Sequence, residues 1–377
     1  MRIAMVAGEV SGDFLAAGLI RSLKDHASEI QTYGIAGPQM IAEGCKPSFD
    51  MEKLSVMGFA EVLTRLPGIF SIRRKLINQL LMDPPDLFIG VDAPDFNLKL
   101  EEKLKSHGIL TIHYVSPSVW AWRAARVNQI RRAVDLMLTL FPFEEQFYKE
   151  HGINARYVGH PLADLIPIES KRTELRTTLG LTVDDCVVAV LPGSRIGEVK
   201  RMGPVFCKAM RQLSKNVPKI KFISPMATDT VYKLFKSMVD NYAADISIRL
   251  LTKQSQVAMT ASDAVMVVSG TAALEAMLCK RPMVIGYKMS PLTYRYMKKL
   301  MTVNQYSLPN NLAGHEVAKE YIQEQAVPEN FANEIKRILS DTEGTRKLEQ
   351  EFTGIHLKLR TNANQKAASA IMEFMTP

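Results

Sequence analysis

Four short motifs in this 377-residue chain carry the side chains best suited to chemistry. Each follows a short apolar run that predicts a buried strand, and they span residues 8–13, 92–97, 191–195 and 269–275. Ligands of open parallel α/β sheets bind at the carboxyl ends of the strands. Because two motifs lie in each half of the chain, we predict two doubly wound α/β domains that face each other across a cleft.

The motif at 191–195 has the residues of a phosphate-binding turn. Gly193 and Ser194 leave room for a phosphate, and the guanidinium of Arg195 can bind it through two parallel hydrogen bonds. A surface arginine on an ordinary turn is the alternative. The same half of the chain has a second loop of this kind, and two such loops together make a nucleotide diphosphate site more plausible than one would.

That second loop is the motif at 269–275. Ser269, Gly270 and Thr271 open a predicted helix, whose unpaired backbone N–H groups suit a pyrophosphate. Glu275 lies about one turn further on and could accept hydrogen bonds from two ribose hydroxyls. The plainer alternatives are that Ser269 or Thr271 only caps the helix and that Glu275 only favours its dipole.

The first half offers a carboxylate instead of a phosphate site. Asp95 follows a predicted buried strand and could act as the general base for an alcohol, whereas Asp92 or Asn97 is expected to be structural. The loop with Ser11 and Gly12 lacks the G-x-G-x-x-G spacing of dinucleotide folds, so it disfavours NAD; it is a cleft loop or an ordinary turn.

Composition and spacing predict neither a metal site nor another cofactor. The chain has no Asp-x-Asp pair, and its four cysteines are scattered, as expected for free thiols in a reducing compartment. His113, His160 and His315 have no partner at metal-ligand spacing and are expected to be structural. Leaving-group charge would then be balanced by backbone dipoles and Arg195.

The chain is basic, with a formal net charge of +8. Its Lys and Arg residues form no long run, which disfavours nucleic acid and leaves solvated faces, anionic lipid or phosphorylated small molecules. We find no signal peptide and no apolar stretch near the ~20 residues of a membrane span, so a cytoplasmic protein is expected.

Residues 66–82 predict an amphipathic helix that starts near Pro67 and could lie on an anionic membrane surface. Arg73 falls inside the apolar arc, which is awkward in a core but tolerable where an arginine snorkels from lipid. A helix packed on its own domain is the alternative. The predicted membrane-facing residues are Leu66, Ile69, Phe70, Arg73, Leu76, Ile77 and Leu80.

Alternating strands and helices define the predicted domains. Residues 1–165 form an N-terminal domain, and residues 166–347 form a C-terminal domain. Residues 348–377 are a helical tail that packs on the N-terminal domain of its own or a partner chain.

The motifs at 8–13, 92–97, 114–123, 191–195, 269–275 and 307–310 together resemble those of the lipid-A-disaccharide synthase family. The resemblance implies a GT-B glycosyltransferase that joins UDP-2,3-diacylglucosamine to 2,3-diacylglucosamine 1-phosphate and releases UDP. It further implies inversion at the anomeric carbon without a metal, a peripheral position on the inner face of the inner membrane, and a homodimer with C-terminal exchange.

Carried over by position, the resemblance makes Asp95 the general base and associates Arg195, Glu275 and Asn310 with UDP. Gly270 and Thr271 would bring backbone N–H groups to the diphosphate. The resemblance also implies that the domain of residues 1–165 faces the acceptor and the membrane and that the domain of residues 166–347 binds the UDP-sugar. Two alternatives remain: a UDP-sugar epimerase of the same architecture, which needs no acceptor, and a basic lipid-binding module without catalysis.

Overall fold

The chain forms two α/β units. The computed structural model describes residues 1–27, 29–51, 54, 59–117, 119, 126–290, 294–295 and 305–376, without the side chains of 59–66. The N-terminal unit consists of Met1–Asp164 and Leu359–Pro377, and the C-terminal unit consists of Leu165–Lys358.

The N-terminal unit is built on a seven-stranded parallel sheet. Its order is β3-β2-β1-β4-β5-β6-β7. The strands are β1 (Arg2–Ala7), β2 (Gln31–Ala36), β3 (Lys46–Asp50), β4 (Leu87–Val91), β5 (Leu110–Tyr114), β6 (Leu136–Thr139) and β7 (Ala155–Tyr157). Every residue of β4 is buried, as expected for a central parallel strand covered on both faces.

Helices connect these strands, and one more comes from the end of the chain. They are α1 (Val10–His26), α2 (Pro38–Ala42), α3 (Phe59–Met82), α4 (Pro94–Lys105), α5 (Arg126–Ala133), α6 (Pro142–Glu150) and α7 (Pro161–Leu165), with α16 (Ala363–Met375). Helix α16 packs on α1. The carboxylate of Asp164 accepts hydrogen bonds from the backbone N–H groups of Asn362 (2.9 Å) and Ala363 (2.6 Å), which fixes the start of α16.

The C-terminal unit contains a six-stranded parallel sheet of order β10-β9-β8-β11-β12-β13. The strands are β8 (Val187–Leu191), β9 (Lys221–Met226), β10 (Ile248–Thr252), β11 (Ala264–Val268), β12 (Met283–Tyr287) and β13 (Lys319–Ile322). The helices are α8 (Arg172–Thr178), α9 (Ile196–Asn216), α10 (Asp229–Tyr242), α11 (Ser255–Ala261), α12 (Thr271–Leu278), α13 (Leu308–Ala313), α14 (Pro328–Ser340) and α15 (Thr342–Leu359), with a 3₁₀ turn at Gln323–Gln325.

Strand order reverses at one place in each sheet, between β1 and β4 and between β8 and β11. Ligands of open α/β sheets bind outside the carboxyl ends of the strands at such a switch point. All four sequence motifs follow these four strands: residues 8–13 follow β1, 92–97 follow β4, 191–195 end β8, and 269–275 follow β11. Each unit therefore brings its two motifs to its own switch point.

The tail divides between the two units. Residues 348–358 lie in α15 and group with the C-terminal unit, where Arg281 pairs with Glu349 at 2.9 Å and Lys280 Nζ lies 2.8 Å from His356 Nδ1. Only the segment from Leu359 onward groups with the N-terminal unit.

Candidate functional site

The two loops at the N-terminal switch point touch each other. A Cβ on Gly8 would lie 2.7 Å from the Cβ of Ala93, so only glycine permits this approach. Gly12 is buried in the first turn of α1, where a Cβ would lie 3.4 Å from the carbonyl oxygen of Val91. Gly12 therefore lies against the sheet, whereas Ser11 is exposed, as are its neighbours Glu9 and Val10.

Asp92 and Ala93 both adopt left-handed backbone conformations, with φ of 52° and 44°. Such residues cost free energy and persist where their surroundings hold them. The buried amide of Asn97 supplies that support, because its Nδ2 donates to the carbonyl oxygen of Asp92 at 2.8 Å and lies 3.4 Å from that of Val91. The tight turn places Asp95 in the first turn of α4.

Asp95 presents its carboxylate to solvent, with its side chain 80% exposed. The guanidinium of Arg126, at the start of α5, pairs with its Oδ1. Arg73 reaches the same residue from α3, and its Nη1 lies 3.5 Å from the carbonyl oxygen of Asp95. Asp95 therefore has one guanidinium at its carboxylate and a second near its backbone carbonyl oxygen.

A fully buried pair lies between α4 and β5. Nδ1 of His113 is 2.7 Å from Oε1 of Glu101, and both side chains are inaccessible to solvent. Burial raises the pKa of Glu101, and the contact with His113 opposes that rise. Nothing in the spacing of these residues distinguishes the pair from an ordinary helix and strand, so sequence reasoning had no signal for it.

Helix α3 differs from its prediction in two ways. It begins at Phe59, so Pro67 lies inside it and not near its start. Leu76 and Leu80 are fully buried, which corrects their assignment to a membrane-facing surface: they pack in the core of their own unit. Ile69 and Ile77 are half-buried and Phe70 is 47% exposed, whereas the side chain of Leu66 lies outside the described residues.

Arg73 lies half-buried in the apolar arc of α3. Its guanidinium stacks on the rings of Phe70 (5.0 Å to the centroid) and Phe96 (5.9 Å). Burial lowers the pKa of Arg73. An arginine in the apolar arc is thus explained by aromatic stacking and by its reach toward Asp95.

In the C-terminal unit, the turn after β8 is closed by a carboxylate of its own helix. Oε2 of Glu198 accepts the backbone N–H groups of Ser194 (3.1 Å) and Arg195 (3.3 Å). Gly193 has a φ of 120°, and a Cβ there would lie 2.6 Å from the Cβ of Glu198. Arg195 precedes α9, with its side chain 58% exposed.

The loop after β11 is open at its tip. Gly270 and Thr271 are exposed and Ser269 is half-buried, and no described atom lies within 4 Å of the position that a Cβ on Gly270 would take. One turn into α12, Oε2 of Glu275 accepts a hydrogen bond from Ser255 Oγ at 3.0 Å. Burial raises the pKa of Glu275, and the Ser255 hydrogen bond partly offsets this.

Asn310 is almost fully buried, and protein groups occupy both ends of its amide. Nδ2 donates to the carbonyl oxygen of Ala318 (2.9 Å) and to Glu320 (2.7 Å), while Oδ1 accepts the N–H groups of Val317 and Ala318. Asn310 also lines a cavity of about 370 Å³. The structure thus gives Asn310 a part in shaping the loop before β13.

In the part of the chain that the structure describes, no three His, Cys, Asp or Glu side chains are grouped so that they could hold a metal ion. No helix there combines the length and the apolar character needed to cross a membrane. Half of the predicted motif at 114–123 lies outside the described residues, namely residues 118 and 120–123.

With this geometry in place, comparison with known proteins gives a consistent result. The model of the family described as lipid-A-disaccharide synthetase matches residues 3–374. The chain belongs to this family. It is 46% identical over 374 residues to lipid-A-disaccharide synthase 2 of Legionella pneumophila strain Philadelphia 1, covering 99% of this chain and 97% of the relative. It is 47% identical to the lipid-A-disaccharide synthase of Chromobacterium violaceum, with the same coverage.

Solved structures of other proteins share the fold of this chain. UDP-GlcNAc 2-epimerase from Neisseria meningitidis, bound to UDP-GlcNAc, aligns with a TM-score of 0.66 at 11% identity over 100% of this chain and 99% of that one. A glycosyltransferase from Rickettsia africae aligns with a TM-score of 0.59 at 12% identity, covering 99% and 98%. At such identities the likeness concerns the fold alone, and it confirms the prediction of two Rossmann-like GT-B domains.

Proposed function

We propose that the chain joins UDP-2,3-diacylglucosamine to 2,3-diacylglucosamine 1-phosphate, forming the β-1,6-linked disaccharide 1-phosphate and UDP. The enzyme is a hexosyltransferase of lipid A biosynthesis, and its substrates are lipid A precursors. The family match over nearly the whole chain supports this reaction and does not favour an epimerase or a non-catalytic lipid-binding module.

The C-terminal unit is the proposed donor site, since two of the motifs meet at its switch point. The N–H groups at Gly270 and Thr271 would face the diphosphate, with Ser269 beside them, and Glu275 would accept the ribose hydroxyls. Asn310 would hold the loop near the nucleotide in shape through the hydrogen bonds of its amide.

Arg195 is the proposed counter-charge for the departing UDP, at a turn formed with Gly193 and Ser194. A phosphate at this turn would compete with Glu198 for two backbone N–H groups. We therefore expect the Arg195 side chain to supply most of the attraction there, because a guanidinium binds phosphate through two charge-assisted hydrogen bonds.

The exposed carboxylate of Asp95 at the switch point of the N-terminal unit is the observation on which the mechanism rests. As general base, it would take the proton of the acceptor's 6-hydroxyl. The oxygen would attack the anomeric carbon of the donor from the face opposite UDP, so that the bond to UDP breaks and the configuration inverts. The reaction is proposed to need neither metal nor other cofactor, since Arg195 and backbone dipoles receive the leaving-group charge.

The lipid chains of both substrates are the reason to propose a peripheral location on the inner face of the inner membrane. Ile69, Phe70 and Ile77 of α3 remain the proposed contact, and the net positive charge would favour anionic lipid. A homodimer that exchanges C-terminal segments is the other proposed association.

The deciding experiment is incubation with both acylated substrates in a chelator, followed by mass detection of the disaccharide and of UDP. Product in the presence of chelator is the expected result. UDP released without acceptor, or turnover that disappears when divalent cations are removed, would contradict the proposal.

Asp95→Ala should lower turnover by at least the ~10²-fold typical of losing a general base. The donor site lies in the other unit, so UDP affinity should stay within about twofold. Both are measured on the same protein, by initial rates and by calorimetry with UDP. Near-normal turnover would remove Asp95 from this role.

A further inference from the structure

The proposed acceptor carries a phosphomonoester, whose negative charge calls for a cationic binding group on the enzyme. Among the described residues of the N-terminal unit, two guanidinium groups lie at Asp95, one at its carboxylate and one near its backbone carbonyl oxygen. Arg126 pairs with the carboxylate of Asp95, and Arg73 lies 3.5 Å from the carbonyl oxygen of the same residue.

Arg73 is the more informative of the two. It is half-buried between Phe70 and Phe96, and its one hydrogen bond to a described residue is the long contact with Asp95. A guanidinium has five N–H donors in a planar fork that matches phosphate and carboxylate. A partly desolvated guanidinium with most of its donors unused within the described residues is suited to a charged ligand.

We propose that Arg73 and Arg126 form an anion subsite that binds the phosphomonoester of the acceptor beside Asp95. The proposal rests on the proposed function and extends it, because it states how the acceptor is recognised. Arg73 lies on α3, the helix that also presents Phe70 to solvent. One helix would then contact both the acyl chains and the phosphate of the acceptor.

Arg126 has a second part in this subsite. A phosphomonoester has more negative charge than a carboxylate, so it would compete with Asp95 for the Arg126 guanidinium. Binding of the acceptor would thereby shift Arg126 toward the phosphate and weaken its ion pair with Asp95.

The test compares two acceptors, 2,3-diacylglucosamine with and without its 1-phosphate, in neutral detergent micelles. For the wild type, kcat/KM should fall about 10- to 100-fold when the phosphate is removed, as expected for losing hydrogen bonds to a charged group. In Arg73→Met, kcat/KM for the phosphorylated acceptor should fall by a similar factor, while the value for the dephosphorylated acceptor stays within about twofold.

Arg74→Met is the matched control, since Arg74 is the exposed neighbour on the same helix. It should keep the full preference for the phosphorylated acceptor. Arg73→Lys keeps the charge without the fork and should recover part of the preference. Equal losses on both acceptors in Arg73→Met would overturn the proposal, because Arg73 would then only position Asp95.

Comparing the two acceptors on the wild-type protein also tests the subsite. If the wild type accepts both compounds equally well, the subsite is wrong and the proposed function stands; if it accepts neither, the proposed function fails first. Repeating the assay with phosphatidylglycerol vesicles separates the two sources of phosphate. Arg73→Met that loses vesicle binding but keeps the acceptor preference would assign the subsite to a lipid headgroup and overturn the proposal.

Discussion

At the two switch points, hydrogen bonds from side chains a few residues away hold the backbone conformation of single loop residues. Asn97 holds the left-handed Asp92 and Ala93, and Glu198 holds the turn at Ser194 and Arg195. Loop conformations of this kind depend on side chains several residues away. The chemistry that each motif suits was therefore predictable from the sequence, but the hydrogen bonds that fix each loop were not.

The half-buried Glu275 predicts that UDP affinity depends on pH. Burial raises its pKa, so its carboxylate takes up a proton at a higher pH than an exposed glutamate does. A protonated carboxyl accepts ribose hydroxyls poorly, so UDP affinity should fall as the pH drops through that raised pKa. Glu275→Gln should weaken UDP binding about tenfold at neutral pH and remove this part of the pH dependence.

The measurement is calorimetry with UDP at several pH values for both proteins. UDP itself titrates in the acidic range, and the glutamine variant serves to subtract that contribution. The assignment of Glu275 to the ribose would be abandoned if the two proteins showed the same affinity at neutral pH.

At the scale of elements, helix α3 combines a buried and an exposed apolar side. Leu76 and Leu80 face the core, whereas Phe70 is exposed and Ile69 is half-buried beside it. Periodicity identified one apolar arc, and it could not divide that arc between the core and the surface. The division depends on what packs against the helix, which includes the neighbouring α4.

The double variant Ile69→Ser, Phe70→Ser should therefore bind anionic vesicles at least tenfold more weakly while keeping its fold, because neither residue belongs to the fully buried core. Vesicle co-sedimentation and thermal unfolding measure the two properties. Val183→Ser, at an exposed apolar residue of the other unit, is the control and should bind as the wild type does. Undiminished binding of the double variant would leave α3 as a helix of its own domain.

Central strands such as β8 and β11 were predicted closely, whereas three of the four edge strands of the described sheets, together with β2, were missed. The runs Val187–Leu191 and Ala264–Val268 are continuously apolar, and both are strands with those bounds. Strands β2, β3, β10 and β13 were not predicted, because polar residues, a proline or exposed positions interrupt their patterns. They form only where a neighbouring strand supplies the hydrogen bonds, which is information from the tertiary structure.

At the scale of the whole molecule, the last helix belongs to the first unit. Helix α16 packs on α1 and buries Ala363, Ala367, Ala368 and Ile371, among others. Removing residues 361–377 would expose this surface and cost the N-terminal unit about 5 kcal/mol, a large part of the stability of a domain. The expected result in calorimetry is an early unfolding transition for that unit, with the transition of the C-terminal unit unchanged.

Removal of residues 376–377 alone, beyond the end of α16, is the control and should leave both transitions in place. A shortened chain that unfolds as the full-length chain does would show that α16 contributes little to its unit. The sequence indicated a helical tail associated with the first half of the chain, but composition alone could not show where the tail passes from one unit to the other.

The division of the chain also affects the order in which it folds during synthesis. Residues 165–358 are continuous, so this unit has all its parts before translation ends. Residues 1–164 are made before this unit, yet their own unit receives α16 only after residues 165–358 have been made. Until then the surface of α1 that α16 covers stays exposed. The N-terminal unit is therefore the part of the nascent chain that most needs a chaperone.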